Sequence, residues 1–351
     1  ITNVNDMSPT DMALSAASAA ENAAAGTDIG TLSTTDGDAS GNSHVYTLVT
    51  DSGGATAYSG TDFAIDSAVL EVGSSPSFDY ETTTSYTVYV KVSDGSNTPY
   101  VEGFTISITD VNDESPVWTT SASQSVDEGT RNVATLGVTD GDAADSNTAT
   151  YAITTNDNSL FEIDSGVLRF VASGGADFES PGCGSSSNTC TVIVLASDAA
   201  STANTASRTF TITIGNTNDN SPTDMALSAA SAAEDASAGD DIGTLSTTDG
   251  DASGNSHVYT LVTDSGGATA YSGTDFALDS AVLEVGSSPS FDYETTTSYT
   301  VYVKVADGSN TAYVEGFTIS ITNVNDNSPS DMALSAASAA EDASAGDDIG
   351  T

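Results

Sequence analysis

Acidic side chains recur at fixed positions along this chain, beside residues that are typical of turns. A glutamate near the start of a unit is followed by Asp-Gly-Asp, Asp-x-Glu, a single aspartate and a closing Asn-Asp motif. In the first full unit these residues are Glu21, Asp36, Asp38, Asp79, Glu81, Asp94, Asp110, Asn112 and Asp113. Carboxylate, amide and carbonyl oxygens are the ligands of Ca²⁺, which takes roughly six to eight of them. These residue types therefore indicate calcium binding, whereas the abundant Ser and Thr residues have no His–acid partners that would indicate a nucleophile.

The acidic set repeats because the chain itself repeats. The closing motif ends at Pro9, Pro116, Pro222 and Pro329, which gives a period of about 107 residues. The first block returns nearly unchanged as the third, so we name these units type A and the intervening unit type B. The predicted division is the tail and linker of a preceding repeat at 1–9, type A at 10–116, type B at 117–222, type A at 223–329 and the start of a further type A repeat at 330–351. Both ends fall inside a unit, and we expect the natural protein to continue in both directions.

Each unit has the pattern of an antiparallel β protein. Hydrophobic and polar residues alternate over 86–92 and 104–108, as in half-buried strands. Further strands are predicted at 12–19, 28–33, 45–49, 63–65 and 69–72. Clusters of Gly, Asp, Ser and Asn separate these segments, and none carries a helical stripe. The predicted fold class is all-β, with tandem seven-stranded Greek-key sandwiches of the immunoglobulin-like type joined end to end.

The charge of the chain limits its partners. It holds 50 acidic and 5 basic residues, for a formal net charge of −45. Such a charge repels nucleic acid and anionic membrane surfaces and attracts cations. No run of 18 apolar residues occurs, so no membrane span is predicted in this window. We expect metal ions, and not nucleic acid, to be the partners of the acidic surface.

The two cysteines, Cys183 and Cys190, lie close together in a Gly/Ser-rich segment. We predict a local disulfide between them, which favours an oxidising, extracytoplasmic setting. The alternative is a pair of free thiols, because two cysteines alone cannot make a zinc site.

The order of the acidic motifs resembles the cadherin repeat. The family pattern places a glutamate near the start, then Asp-x-Asp, an Asp-x-Glu segment, and a closing motif like that at Asp110–Pro116, and every complete unit follows it. Segments such as FAID at 63–66 are similar to bacterial cadherin-like repeats. The resemblance implies cadherin-like sandwiches with two or three Ca²⁺ ions at each junction between repeats.

The resemblance also implies which residues bind these ions. At the first full junction they are Glu21, Asp79, Glu81, Asp110, Asn112 and Asp113 with Asp140, Asp142 and Asp198. At the next they are Glu128, Asp177, Glu179, Asn216, Asn218 and Asp219 with Asp249, Asp251 and Asp307. The equivalent positions elsewhere are Asn3, Asn5, Asp6, Asp36, Asp38 and Asp94, and Glu234, Asp292, Glu294, Asn323, Asn325 and Asp326. Asn3, Asn216 and Asn323 replace the charged residue of the family, so the number of ions at those junctions stays open between two and three.

The function that these observations predict is an extracellular or cell-surface stalk, fibre or adhesion protein stiffened by calcium, and not an enzyme. Its expected partners are calcium and either other copies of itself or a surface receptor. The alternative is a carbohydrate-binding or enzyme-associated accessory module, for which Tyr58 and Tyr271 would be the candidate sugar-binding residues.

Overall fold

The computed structural model describes residues 4–38, 43–142, 149–184, 187–198, 204–251, 256–335 and 337–349. Asn3, a predicted ligand, lies outside them. Two compact units make up the chain: Ile1–Gly215, which holds the first two sandwiches, and Asn216–Thr351, which holds the third. None of the helices among the described residues is long and apolar enough to cross a membrane.

Two four-stranded sheets form the first sandwich. Its strands are β1 Asp11–Leu14, β2 Ser18–Ala20, β3 Asp28–Thr35, β4 Val45–Val49, β5 Phe63–Asp66, β6 Val69–Val72, β7 Ser85–Ser93 and β8 Tyr100–Thr109. The sheet orders are β1-β3-β6-β5 and β2-β8-β7-β4. All neighbours are antiparallel except β2 and β8, which pair in parallel. The predicted all-β sandwich fold is confirmed.

The second sandwich is less regular. Its elements are β9 Val117–Trp118, β10 Ser123–Asp127, β11 Asn132–Thr135, β12 Val138–Thr139, β13 Thr150–Asn156, the 3-10 turn η1 Asp157–Ser159, β14 Phe161–Asp164, β15 Val167–Phe170, β16 Thr189–Ser197 and β17 Thr205–Gly215. They form the sheets β10-β17-β16-β13 and β11-β15-β14 and the short pair β12-β9. Trp118 packs edge-on against Phe210 with ring centroids 5.4 Å apart, inside its own sandwich.

The third sandwich repeats the first. Its strands are β18 Asp224–Leu227, β19 Ser231–Ala233, β20 Asp241–Thr248, β21 Val258–Val262, β22 Phe276–Asp279, β23 Val282–Val285, β24 Ser298–Ala306 and β25 Tyr313–Thr322. The two sheets, β18-β20-β23-β22 and β19-β25-β24-β21, have the same orders and pairings as before.

The single strand expected over 12–19 is wrong, because the segment divides between the two sheets. β1 pairs with β3 in one sheet and β2 pairs with β8 in the other. Gly30 permits the crossing, since a Cβ atom there would lie 2.3 Å from the carbonyl oxygen of Ala16. This sandwich therefore has eight strands where seven are predicted, because the segment 12–19 forms two short strands instead of one.

The alternating residues fill the space between the sheets. In the first sandwich Val90, Val92 and Ile106 are fully buried, as the period of two predicts. Phe63 contacts Phe78 with ring centroids 5.2 Å apart. These aliphatic and aromatic contacts form a hydrophobic core, and this core positions the strand ends.

Candidate metal centre

Three predicted ligands meet at one end of the first sandwich. Glu21 follows β2, Glu81 lies in the loop before β7, and Asp110 follows β8. One carboxylate oxygen of each lies within 4.8 Å of those of the other two. Because β2 and β8 run in parallel, the ends of both strands reach the same pole, and residues distant in sequence come together.

Glu21 is buried and has both carboxylate oxygens engaged by backbone groups. Its Oε2 accepts a hydrogen bond from the backbone N–H of Tyr80 at 2.6 Å, and its Oε1 accepts one from Val111 at 2.7 Å. Glu21 therefore ties the loop before β7 to the segment that leaves β8. The equivalent Glu234 does the same in the third sandwich, with the N–H groups of Tyr293 and Val324. In the second sandwich Glu128 accepts from the N–H of Phe178 at 2.8 Å.

The second sandwich contributes its Asp-Gly-Asp segment to the same pole. The buried Asp142 accepts backbone hydrogen bonds from Asp113 at 3.4 Å and from Glu114 at 3.2 Å, in the segment between the two sandwiches. Burial raises the pKa of Asp142 to about 6, and the neighbouring Asp140 carboxylate contributes to the rise. The raised pKa means that the protein alone stabilises the negative charge of Asp142 poorly.

Like charges crowd the site. Loss of hydration, followed by the carboxylates of Glu21, Asp110 and Asp142, raises the pKa of Glu81. For Asp113 the rise in pKa comes from loss of hydration and then from Glu21, Asp79 and Asp110. A cation placed among these groups would reverse both effects.

A buried oxygen at this pole supports a metal ligand role. The Oδ2 atom of Asp140 is buried and accepts no hydrogen bond from the residues that the structure describes. Buried carboxylate oxygens are usually satisfied, and an oxygen-only donor set is the kind that Ca²⁺ takes. The residues of this junction therefore fit a divalent calcium ion.

Asn112 and Asp198 lie at the same pole, Asn112 after the last strand of the first sandwich and Asp198 after β16 of the second. The side-chain amide of Asn112 donates to Oδ2 of Asp198 at 3.2 Å. Asp198 also accepts from the backbone N–H of Asn204 at 2.8 Å. This contact links the segment after β8 to the loop after β16.

The unit Asn216–Thr351 contains two clusters of its own. Its upstream cluster is Asp249, Asp251 and Asp307, with one carboxylate oxygen of each within 4.8 Å of the others. Asn218 donates from its side-chain amide to the carbonyl of Asp307 at 3.0 Å, and the N–H of Asp219 donates to Asp251 at 3.4 Å. The downstream cluster is Glu234, Asp292 and Glu294, and Asn323 donates to Glu294 at 3.1 Å.

The upstream end of the first sandwich has the same arrangement. Asn5 donates from its side-chain amide to the carbonyl of Asp94 at 3.2 Å, and Asp38 accepts from the N–H of Met7 at 2.9 Å. Asp36 lies 3.3 Å from Nε2 of His44. The histidine contact also occurs between His257 and Asp249, at 3.1 Å.

Other predicted ligands accept hydrogen bonds from residues of their own loops. Asp79 accepts from Thr82, and Asp292 accepts in the same way from Thr295. Asp177 accepts from the N–H of Ser180 at 2.8 Å. Within the unit Ile1–Gly215, Glu128 directly follows β10, whereas Asp177 and Glu179 lie in the loop that precedes β16. Among the described residues, no hydrogen bond or ion pair joins the side chains of the following to another predicted ligand: Asp6, Asn325 and Asp326.

Sequence reasoning missed three asparagines that contact the segment entering each repeat. They are Asn97, Asn204 and Asn310. Each follows the single aspartate after the sixth predicted strand, and in type A repeats the spacing Asp-Gly-Ser-Asn is the only signal. Polar residues in a turn are common, so this signal does not distinguish a contact from a solvated loop.

The cysteines form a disulfide between Cys183 and Cys190, with Cα atoms 5.1 Å apart. Both side chains are buried in the core of the second sandwich. The bond therefore joins the loop before β16 to the start of that strand, and it supports an oxidising environment for the chain.

Tyr58 and Tyr271 do not form an exposed platform. Both are only partly exposed and pack against the cores of their sandwiches. The carbohydrate-binding alternative is therefore not favoured.

Comparisons with known proteins agree with this architecture. Residues 15–109 match the family profile described as the cadherin domain. Protocadherin Fat 4 of Mus musculus is 32% identical over 347 residues, and the Homo sapiens protein is 28% identical over 344. Each alignment covers 94% of this chain but 6% of the relative, so the chain spans a small part of these proteins.

Solved structures show the same fold. Protocadherin Gamma B2 extracellular cadherin domains 3-6 match with a TM-score of 0.63 and 18% identity, covering 92% of this chain and 79% of that one. Mouse Cadherin-23 EC22-24 matches with a TM-score of 0.55 and 20% identity, covering 91% of this chain and 100% of that one. With the sandwich topology and the motif order, these findings identify the chain as a tandem array of cadherin-like repeats.

Proposed function

We propose that this chain is part of an extracellular structural or adhesive protein whose cadherin-like repeats are held in line by calcium. The observation that carries the proposal is the pole where Glu21, Glu81 and Asp110 of one sandwich meet Asp140 and Asp142 of the next. Its role is mechanical and not catalytic. The relatives named cadherins and protocadherins support a location outside the cell.

Bound calcium would neutralise the carboxylates at each junction. The ligands that we assign at the first full junction are Glu21, Asp79, Glu81, Asp110, Asn112, Asp113, Asp140, Asp142 and Asp198. Without the ion, these like charges repel and the segment between two sandwiches has fewer restraints. We propose two or three ions per junction and repeat boundaries at Pro9, Pro116, Pro222 and Pro329.

The partners follow from the same proposal. A surface with a net charge of −45 repels other acidic surfaces at low ionic strength, so contact with another copy would itself depend on bound cations. We propose other copies of the chain, or a surface receptor, as the macromolecular partner.

The test compares the full chain in chelator and in millimolar calcium. Extracellular calcium modules bind at about 10⁻⁴ to 10⁻³ M, and binding to the folded state adds stability by linkage. We expect calcium to raise the melting temperature and to narrow the distribution of interdomain distances in small-angle X-ray scattering. Magnesium at equal concentration is the ionic-strength control. Identical melting and scattering curves in chelator and calcium would contradict the proposal.

A further inference from the structure

The side-chain amide of Asn97 lies among three oxygens at the upstream end of the first sandwich. Its Nδ2 atom is 2.8 Å from Oδ1 of Asn5, 2.8 Å from the carbonyl of Met7 and 2.7 Å from Oδ2 of Asp94. An amide has two N–H hydrogens, so the oxygens outnumber the donors. The oxygens are a carboxylate, an amide and a backbone carbonyl, which are the groups that Ca²⁺ takes.

The same arrangement recurs in the other type A sandwich, within the unit Asn216–Thr351. Nδ2 of Asn310 lies 2.5 Å from Oδ1 of Asn218, 2.8 Å from the carbonyl of Asn220 and 2.9 Å from Oδ2 of Asp307. The carbonyl of Asn218 is a fourth acceptor, at 3.2 Å. Both type A copies therefore place an amide nitrogen at the centre of the same oxygen set.

A tight turn orients the side-chain amides of Asn97 and Asn310. Oδ1 of Asp94 accepts the backbone N–H groups of Ser96 and Asn97, both at 2.9 Å. Gly95 has φ +82, a conformation that favours glycine. Asp307 makes the equivalent bonds to Ser309 and Asn310, at 3.0 and 2.9 Å.

The type B sandwich is built differently. Five residues lie between Asp198 and Asn204 in its sequence, and Nδ2 of Asn204 donates to the carbonyl of Asn112 at 3.3 Å. Asn112 itself donates to Oδ2 of Asp198, so this carboxylate contacts the side-chain amide of the linker as well as the backbone N–H of Asn204. Among the described residues of this sandwich, the side-chain amide of Asn204 is not surrounded by an oxygen set like that around Asn97.

We propose that Asn97 and Asn310 are positioning residues whose amides replace one cation at the upstream end of each type A repeat. The part that concerns ion number rests on the proposed function. The amide donates to the linker and to the aspartate at once, so the linker is held to the sandwich without an ion. A junction leading into a type A repeat would then bind one calcium ion fewer than the junction leading into the type B repeat.

The experiment uses the full chain with both amides removed, as Asn97→Ala with Asn310→Ala, and Asn204→Ala as the matched control. Bound calcium is counted by equilibrium dialysis and elemental analysis, and melting is recorded in chelator. We expect the double variant to bind up to two more ions per chain than the wild type, because the oxygens are freed. In chelator its melting temperature should fall by about 5 °C, since the oxygens lose their donor. Asn204→Ala should leave the ion count unchanged.

A second double variant tests the same proposal if the alanine variant folds poorly. Asn97→Asp with Asn310→Asp puts carboxylates against the same oxygens, so it should melt lower than wild type in chelator and recover in calcium. An unchanged or smaller ion count in the alanine variant would overturn the proposal, because the asparagines would then not occupy an ion position. A wild-type chain that binds no calcium would overturn the proposed function, whereas a fall in melting temperature in chelator would still support the amide contacts.

Discussion

At the residue scale, Glu21 combines a structural role with a proposed ligand role. Its carboxylate accepts two backbone hydrogen bonds and is buried. Buried N–H groups that lose their acceptor carry a desolvation cost, and hydrogen bonds to charged groups are the stronger ones. Glu21 therefore belongs to the scaffold of the pole whether or not an ion is bound.

We expect Glu21→Ala to lower the free energy of unfolding by about 3 kcal/mol in chelator, since two partly buried backbone donors lose their acceptor. Urea titration of the full chain followed by circular dichroism measures the change. Glu81→Ala is the control, because Glu81 is exposed and crowded by like charges, so its loss should be neutral or stabilising without calcium. Equal destabilisation by both substitutions would show that the backbone bonds of Glu21 are not the cause.

The raised pKa of Asp142 predicts that the stability of the calcium-free chain depends on pH. Its folded pKa is raised to about 6 from 3.8, so the folded state holds this proton more tightly than the unfolded state. The stabilisation is complete below the unfolded pKa and is lost as pH rises from about 4 to 6. Asp94 and Asp307 have pKa values lowered to about 2, because their carboxylates accept hydrogen bonds from Asn97 and Asn310, so they stay ionised over this range.

The measurement is urea unfolding in chelator at about pH 4.5 and pH 7, for the wild type and for Asp142→Asn. We expect the wild type to lose more stability than the variant between these pH values. The shared acidic background cancels in this comparison, because only one carboxyl group differs. Parallel curves for the two proteins would contradict the assigned role of Asp142.

At the scale of elements, the disulfide joins a loop to the strand that follows it. Cys183 and Cys190 are separated by seven positions, so the bond closes a short loop in the unfolded chain. Short loops have little closure entropy to lose, and the stabilisation should be modest.

Replacing both cysteines with alanine should lower the stability by about 2 kcal/mol, from the chain entropy of so short a loop. Mass spectrometry without reduction should show no alkylation of the native protein at either cysteine. The other repeats lack cysteines, so calcium binding at their junctions serves as an internal control. Two alkylatable thiols in native material would refute the bond.

At the scale of the whole molecule, the junctions are unequal. Asp110 is charged where Asn216 and Asn323 carry neutral amides. Each lost carboxylate removes an attraction for a doubly charged ion at short range. We therefore expect the junctions along one chain to differ in calcium affinity.

We expect Asp110→Asn to weaken calcium binding by the full chain and Asn216→Asp to strengthen it. Calorimetric titration measures both changes, and their opposite signs are the internal control. The competing effect is crowding of like charges, which already raises the pKa of Glu81 and Asp113. If Asn216→Asp weakens binding, repulsion among the carboxylates dominates and the charge-count argument fails.

The sequence by itself determined the repeat, the all-β class and the proposed ligands. Alternation with a period of two indicates half-buried strands from neighbouring residues alone. Acidic residues at equivalent turns of each repeat likewise indicate ligands at the ends of a sandwich. Neither inference requires knowledge of contacts between distant residues. The ligand set stays a prediction, although the structure brings Glu21, Glu81 and Asp110 together as the parallel pairing of β2 and β8 requires. The contacts of Asn97 escaped this reasoning, because its partners Asn5 and Met7 lie about ninety residues away.

The tertiary structure decided where strands form. The segment DMALSAASAA occurs at 11–20, 224–233 and 331–340. The copies at 11–20 and 224–233 each form two strands. The first copy pairs with β3 and β8, and the second has the matching partners β20 and β25. A short strand gains its hydrogen bonds and burial only from a neighbouring strand, so the tertiary pairing divides this segment between two sheets.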